Sequence, residues 1–147
     1  MTRRSITTTM AGMAALVALA QTAPQSGAQG NDGFAVAKGR TTFRTYCASC
    51  HGENADGRGP VAQYLSIVPA DLTVIADRYG EFPSERVREI IDGREEVRTH
   101  GSREMPIWGD IFRTPLVPSG TPEDPEQRSA RIIDELVRYL RSIQVSD

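Results

Sequence analysis

The stretch Cys47-Ala48-Ser49-Cys50-His51 decides how the rest of this 147-residue chain is interpreted. It contains both cysteines of the chain, and two residues separate them. Residues three apart on a helix are neighbours on one face, so a helical turn here would point both thiols the same way. His51 follows directly and adds an imidazole at the same place.

The Cys-x-x-Cys-His pattern is the signature of covalent c-type haem attachment. Thioether bonds from Cys47 and Cys50 would hold one haem edge, and His51 would lie against the iron. A thioredoxin-like redox pair needs a βαβ setting, which the sequence lacks. A zinc site would have to recruit His100, which has no second histidine at the usual spacing. A chance match is a further alternative; we predict one haem c.

The composition fits one folded domain, with 39% hydrophobic and 24% charged residues. It excludes a collagen, a coiled coil or a disordered tail. The net charge of −2 does not indicate a nucleic-acid partner. Two cysteines are too few for a disulfide scaffold.

Residues 1–28 are predicted to be a secretory signal peptide. Arg3 and Arg4 precede the apolar run Met10–Ala20, which is too short to span a bilayer. A retained amphipathic anchor and a twin-arginine signal are the alternatives. Small residues suit cleavage after Ala20, Ala23 or Ala28. We therefore expect export to the periplasm, with no stable membrane insertion after cleavage.

The remaining chain is divided into a flexible leader over residues 29–33 and a domain over residues 34–147. Its patterns predict an all-α fold. Apolar and aromatic residues three apart predict a helix over Phe34–Cys50, capped by Asn31 or Asp32. Gly39 lies inside this helix at a cost of about 1 kcal/mol, which indicates a helix crossing closely there.

Two short helices are predicted in the middle of the chain. The first covers Asp71–Tyr79 and ends at Gly80. The second is capped by Ser84, runs through Ile91 and ends at Gly93.

A long last helix is predicted from the cap Thr121 and Pro122 to about Gln144. Before it, the proline-rich segment 114–125 is a candidate docking surface or a tolerated insertion. The apolar face of the last helix comprises Ile132, Ile133, Leu136, Val137, Leu140 and Ile143.

Met105 is the candidate for a second axial ligand. It is the only methionine outside the predicted signal peptide, and it stands beside Pro106 in a loop-like stretch. A thioether is a neutral, soft ligand that favours ferrous iron. His100 is the rival and would give a bis-histidine iron; otherwise it is a solvated loop residue.

Three stretches, CASCHG from Cys47, REMPIWG from Arg103 and VRYLRSIQ from Val137, resemble those of class I monohaem c-type cytochromes of the small bacterial periplasmic type. The resemblance covers about residues 34–144. It implies three to five helices wrapped around one haem, with the first and last helices crossing. Gly39 and Phe43 would then meet Tyr139.

The resemblance also implies roles for residues around the haem. A proline carbonyl would accept the His51 Nδ1–H, with Pro60 as the candidate and Pro69 as the fallback; ordinary loop residues are the alternative. Trp108 would reach a haem propionate, or else be a core aromatic. Arg94 and Arg103 could pair with the haem propionates; the alternative is that both are solvated.

The function implied is electron transfer by one haem that cycles between Fe(III) and Fe(II), with His51 and Met105 bound throughout. With both axial positions filled, the protein would be an electron carrier and not an enzyme. No dimer signal stands out in the sequence, so we expect a monomer. Its partners would be a donor dehydrogenase or membrane complex and an acceptor oxidase or reductase. Alternatives are a subunit held in a dehydrogenase or oxidase complex, a haem enzyme or gas sensor with an open site, and a disulfide oxidoreductase.

Overall fold

A computed structural model describes residues 27–94, 105–115 and 123–145 of the chain. These residues are helical and contain no strand, so the predicted all-α class is confirmed. No described helix is both long and apolar enough to cross a membrane. The helices are α1 (Gly27–Tyr46), α2 (Ala48–His51), α3 (Ile75–Tyr79), α4 (Ser84–Asp92), α5 (Trp108–Arg113) and α6 (Pro125–Ser142), with a 3₁₀ turn over Ala62–Tyr64.

The described residues thus hold one helical segment more than the three to five that we expected. Two segments are additional to the four helices predicted individually, because the predicted helix over Phe34–Cys50 is broken at Cys47 and because α5 was not predicted. The first part is α1, and α2 continues it as a single turn. The attachment motif therefore lies on a helical turn of its own at the end of α1.

The crossing of α1 and α6 forms the centre of the core. A Cβ placed on Gly39 would lie 1.9 Å from the Glu135 carbonyl oxygen, so the two helix backbones touch there. The rings of Phe43 and Tyr139 lie 5.4 Å apart beside this contact. Both the expected crossing and the reason for a glycine at position 39 are confirmed.

The start of α1 differs from the prediction. The helix begins at Gly27, so residues 29–33, which we expected to be a flexible leader, form part of its first turns. Asp32 does not cap the helix, because its carboxylate pairs with Arg138 on α6. This contact between distant parts of the chain extends the helix beyond what local signals indicate.

The last helix also begins later than predicted. Asp124 is its N-cap, and its side chain accepts hydrogen bonds from the backbone N–H of Glu126 and Gln127, both at 3.0 Å. The predicted cap Thr121 and Pro122 lie outside the described residues. The same cap-then-proline pattern recurs as Asp124 and Pro125, and α6 uses this second copy.

The predicted apolar face of α6 is confirmed. Ile133 and Leu136 are each 1% exposed, and Val137 and Leu140 are also buried. Ile132 and Ile143 are partly buried against the same core.

The two short helices end where glycines predict. Gly80 and Gly93 adopt left-handed conformations with φ of 79° and 67°. The predicted start at Asp71 is wrong, because its carboxylate accepts from the backbone N–H and hydroxyl of Thr73 and holds a turn there. Ser84 does not cap α4; it is the first helical residue, and its hydroxyl accepts from Arg141 at 2.7 Å.

Helix α5 was not predicted. It is short, and its first two residues, Trp108 and Gly109, belong to the stretch after Arg103 that we expected to be loop-like. The buried hydroxyl of Ser129 on α6 donates to the Gly109 carbonyl at 2.9 Å. A contact made across the fold therefore stabilises a helix that has little local signal.

Candidate haem site

The attachment motif keeps helical hydrogen bonding through the break at Cys47. The Cys47 N–H donates to the Phe43 carbonyl at 2.8 Å. The Cys47 carbonyl in turn accepts from the N–H groups of Cys50 at 3.1 Å and His51 at 2.9 Å. Both thiols are half-buried and free, so the motif offers two sulfurs one turn apart.

The surroundings of the Cys47 thiol do not favour a redox nucleophile. This residue packs against the core. Burial, and after it the charge of Cys50, raise the pKa of Cys47 to about 12. A disulfide oxidoreductase instead lowers the pKa of its attacking thiol. The burial of Cys47 thus speaks against that alternative.

The loop after the motif caps the short helix with its own backbone. A helix leaves its last four carbonyls without helical partners, and here each one accepts from a loop N–H. The N–H of Gly52 binds the Ala48 carbonyl at 2.8 Å, and that of Gly57 binds the His51 carbonyl at 2.8 Å. Gly59 and Val61 bind the carbonyls of Cys50 and Ser49 at 3.0 and 2.9 Å.

Two glycines make this close approach possible. A Cβ on Gly59 would lie 2.3 Å from the Ser49 carbonyl oxygen. A Cβ on Gly57 would lie 2.4 Å from the Pro69 carbonyl oxygen, and Gly57 has a φ of +80°. The sequence predicts only a loop in this glycine-rich stretch, and its density of glycine is the one signal of its role.

The imidazole of His51 is held by a carbonyl, but not by the predicted one. His51 Nδ1 lies 3.0 Å from the Ala70 carbonyl oxygen. The Pro60 carbonyl instead accepts from the side-chain amide of Gln63 at 3.1 Å, so the prediction of Pro60 is wrong. The fallback, Pro69, is wrong by one residue. Loop residues 52–70 fold back on the motif, and their length does not reveal which carbonyl reaches His51.

The contact with Ala70 leaves Nε2 as the ring nitrogen for an axial bond. A histidine ligand commonly donates its other N–H to a carbonyl or carboxylate, which fixes the tautomer and the ring orientation. The loop residue Leu72 donates to the Ala55 carbonyl at 2.8 Å and anchors the chain just after Ala70. Two thiols and an oriented imidazole on one turn fit the donor set of a c-type haem.

Trp108 lies in an aromatic cluster next to the motif. Its ring stacks on Phe112 at 5.7 Å and meets the edge of Tyr46 at 5.6 Å. Tyr46 and Phe112 lie 5.3 Å apart. Trp108 is half-buried in this cluster, which fits the core-aromatic alternative; its contact with a propionate stays a prediction.

The cluster joins the start of α5 to the end of α1. Tyr46 immediately precedes Cys47, and Met105 lies three residues before Trp108. Met105 is half-buried. The rival His100 lies outside the described residues, as does Arg103. Arg94 is not simply solvated, because it pairs with Asp92 and Glu126.

The predicted zinc alternative gains no support. Among residues 27–94, 105–115 and 123–145, no group of three His, Cys, Asp or Glu side chains could hold a metal ion. That alternative depended on His100, about which the described part of the chain gives no information.

An apolar segment follows the loop that caps α2. Residues 60–70 carry no charged side chain in a chain with 24% charged residues. Tyr64 and Val68 are each 80% exposed, and Ile67 is 53% exposed. This segment is continuous with the motif through the hydrogen bond from Val61 to Ser49.

Comparison with protein families gives a match over much of the described chain. Residues 34–114 match the family described as cytochrome C oxidase, cbb3-type, subunit III. The match covers more than half of the chain, so the chain belongs to this family. It is a small c-type cytochrome with an all-α cytochrome c fold, and it transfers electrons through covalently bound haem. Comparisons with curated proteins and with solved structures give no match.

Proposed function

We propose that the protein is an electron carrier with one haem, whose iron is bound by His51 and Met105. Cys47 and Cys50 would hold the haem through thioether bonds. When bound, the haem supplies an iron that takes up and releases one electron between Fe(III) and Fe(II). The observation that carries this proposal is the orientation of His51. This residue lies on the attachment turn of a cytochrome c domain, and the Ala70 carbonyl binds its Nδ1.

The position of the proton on the His51 ring suits this residue to bind iron. The Ala70 carbonyl holds the proton on Nδ1, so Nε2 keeps its lone pair and the imidazole becomes a stronger donor. Because the bond is to the backbone, it does not depend on the side chain at position 70.

Met105 is the second ligand in this proposal. Its thioether is neutral and would raise the reduction potential relative to a second histidine. Trp108, three residues later, contacts Tyr46, which immediately precedes the attachment turn. With both axial positions occupied, no site remains for a substrate, which favours a carrier over an enzyme or a gas sensor.

We propose that the carrier works in the periplasm as a monomer. The signal-peptide features of residues 1–28 support export. The partners would be a dehydrogenase or membrane complex as donor and an oxidase or reductase as acceptor. Such encounters are weak and use small surfaces.

A second candidate is an electron-transfer subunit held in an oxidase or dehydrogenase complex. Two observations favour it: the family is named for an oxidase subunit, and residues 61–68 expose apolar side chains. A permanent interface is more apolar than a transient one. Purification from native membranes separates the two candidates, because a subunit would elute with its complex and a carrier would elute alone.

The ligands are tested by absorption spectroscopy of the exported, matured protein. We expect a c-type haem spectrum and the weak long-wavelength band that marks methionine bound to ferric iron. Met105→Ala should abolish this band and leave the haem attached. A haem-containing protein without the band would contradict methionine ligation. Colourless protein from a host able to attach haem c would contradict the whole proposal.

A further inference from the structure

An ion-paired cluster joins the end of α4 to α5 and to the start of α6. We call Asp92, Arg94, Arg113 and Glu126 the Arg94 cluster. Arg94 Nε lies 2.7 Å from Asp92 Oδ1, and Arg94 Nη2 lies 2.8 Å from Asp92 Oδ2, so the pair is bidentate. Arg94 also pairs with Glu126 on α6, and Arg113 on α5 meets Glu126 at 3.0 Å.

The cluster rests directly on the backbone of α5. A Cβ on Gly109 would lie 2.5 Å from Asp92 Oδ1 and 2.7 Å from Arg94 Nε. Gly109 is buried, and its carbonyl accepts from Ser129 on α6. The start of α5 is therefore held between the end of α4 and the first turns of α6, four residues after Met105.

We propose that Arg94 is a positioning residue for Met105. It clamps α4, α5 and α6 at Gly109 and so holds the chain that carries the thioether. This inference rests on the proposed function, since it takes Met105 to be an iron ligand. Beyond that function, it identifies the contacts that keep Met105 in place.

An external ligand can reach the iron only when Met105 has moved away, so its apparent affinity is proportional to the fraction of molecules in that open state. Arg94 makes a bidentate pair and a second pair on partly exposed carboxylates. Losing such pairs would raise the open fraction, and hence the affinity for imidazole, by about five- to tenfold.

Arg138 provides a matched control. It too pairs with two carboxylates, Asp134 at 2.8 Å and Asp32, and it joins α6 to α1 instead of α5. Arg138→Ala removes the same charge and the same number of partners. A cluster that acted only through overall stability would therefore give similar results for both variants.

The test is titration of the ferric holoprotein with imidazole, read from the loss of the methionine–iron band. We expect Arg94→Ala to bind imidazole about five- to tenfold more tightly than wild type, and Arg138→Ala to stay within about twofold. Equal behaviour of the two variants would overturn the inference and leave the ligation intact. If Met105→Ala kept the band, the proposed ligation would itself be wrong.

A milder variant covers the case in which Arg94→Ala does not fold. Glu126→Gln keeps the shape of the side chain and removes the charge that Arg94 and Arg113 share. It should tighten imidazole binding about two- to threefold, because each ion pair at an exposed carboxylate is weak. Affinity equal to that of wild type would contradict the proposed clamp.

Discussion

The two sides of the candidate site are held by different kinds of contact. On the attachment side, residues 47–72, successive backbone N–H groups bind the carbonyls of the short helix α2, and a backbone carbonyl binds His51. On the methionine side, residues 105–113, side chains do the holding, through the Arg94 cluster and the aromatic stack around Trp108.

This difference indicates which of the two proposed ligands, His51 or Met105, is the more firmly held. Backbone hydrogen bonds carry no net charge and hardly respond to salt, whereas ion pairs near the surface weaken as the salt concentration rises. The histidine should therefore be the constant ligand, and the methionine the one that solvent conditions and mutations can loosen.

The largest expected effect comes from breaking the backbone contacts of the attachment side. Gly59→Ala puts a methyl group 2.3 Å from the Ser49 carbonyl oxygen, so the loop must move and lose its bonds to α2. We expect the free energy of unfolding to fall by about 3 kcal/mol or more, as in other overpacked sites. Urea unfolding followed by circular dichroism measures this.

Gly33→Ala is the control for that variant. Nothing lies within 4 Å of a Cβ at Gly33, which is a helical position of α1. The same chemical change should therefore raise the stability by up to about 1 kcal/mol. A Gly59→Ala protein as stable as wild type would show that the backbone contacts are not what holds the attachment side.

A smaller effect should follow from loosening the first turn of α6. Asp124→Ala removes the N-cap that binds the N–H groups of Glu126 and Gln127, at a cost of about 1 kcal/mol. Because Glu126 belongs to the Arg94 cluster, the methionine–iron band should disappear at a lower urea concentration than in wild type. Asp124→Asn, which can still cap, should keep the wild-type midpoint, and equal midpoints for all three proteins would contradict the link.

The smallest expected effect is a difference in acid sensitivity. The hydrogen bond from the Arg94 side chain holds the pKa of Asp92 below its ordinary 3.8. A lowered carboxyl pKa contributes stability above the unfolded value, and this contribution is lost as the pH falls through the folded value. Stability should therefore drop below about pH 4, and the drop should be smaller in Asp92→Asn.

Asp71 offers a comparison on the attachment side. Hydrogen bonds from the Thr73 side chain and backbone lower its pKa, so its contribution is lost in the same direction and pH range. Asp71→Asn should leave the acid loss of the methionine–iron band unchanged, while Asp92→Asn alters it. Titration of both variants between pH 5 and pH 2.5 with the band and circular dichroism distinguishes the two sides. Identical acid profiles for Asp92→Asn and wild type would contradict a contribution of Asp92 to the acid stability of the methionine side.

Some interpretations succeeded because their signals are local. Gly80 and Gly93 end their helices in left-handed conformations, and the apolar face of α6 is buried as its spacing predicts. The misplaced glycine at position 39 indicated a crossing, and the Glu135 backbone lies against it.

Other interpretations failed where contacts between distant residues decide the structure. Asn31 or Asp32 was predicted to cap the first helix, but Asp32 lies within α1 and pairs with Arg138 on α6. Helix α5 has little local signal and depends on Ser129 and the aromatic stack. In both cases a tertiary contact outweighed a local helix or capping preference. Such preferences contribute at most about 1 kcal/mol per residue.

The sequence by itself determined the chemistry of the attachment motif, the all-α class and the helix crossing at Gly39. These follow from residue types and short spacings, which act over one or two turns of chain. Only the tertiary structure decided that Ala70, and not Pro60, binds His51 and that the Arg94 cluster joins α4, α5 and α6. Loop length leaves many carbonyls within reach of a side chain, and only the folded backbone selects one of them.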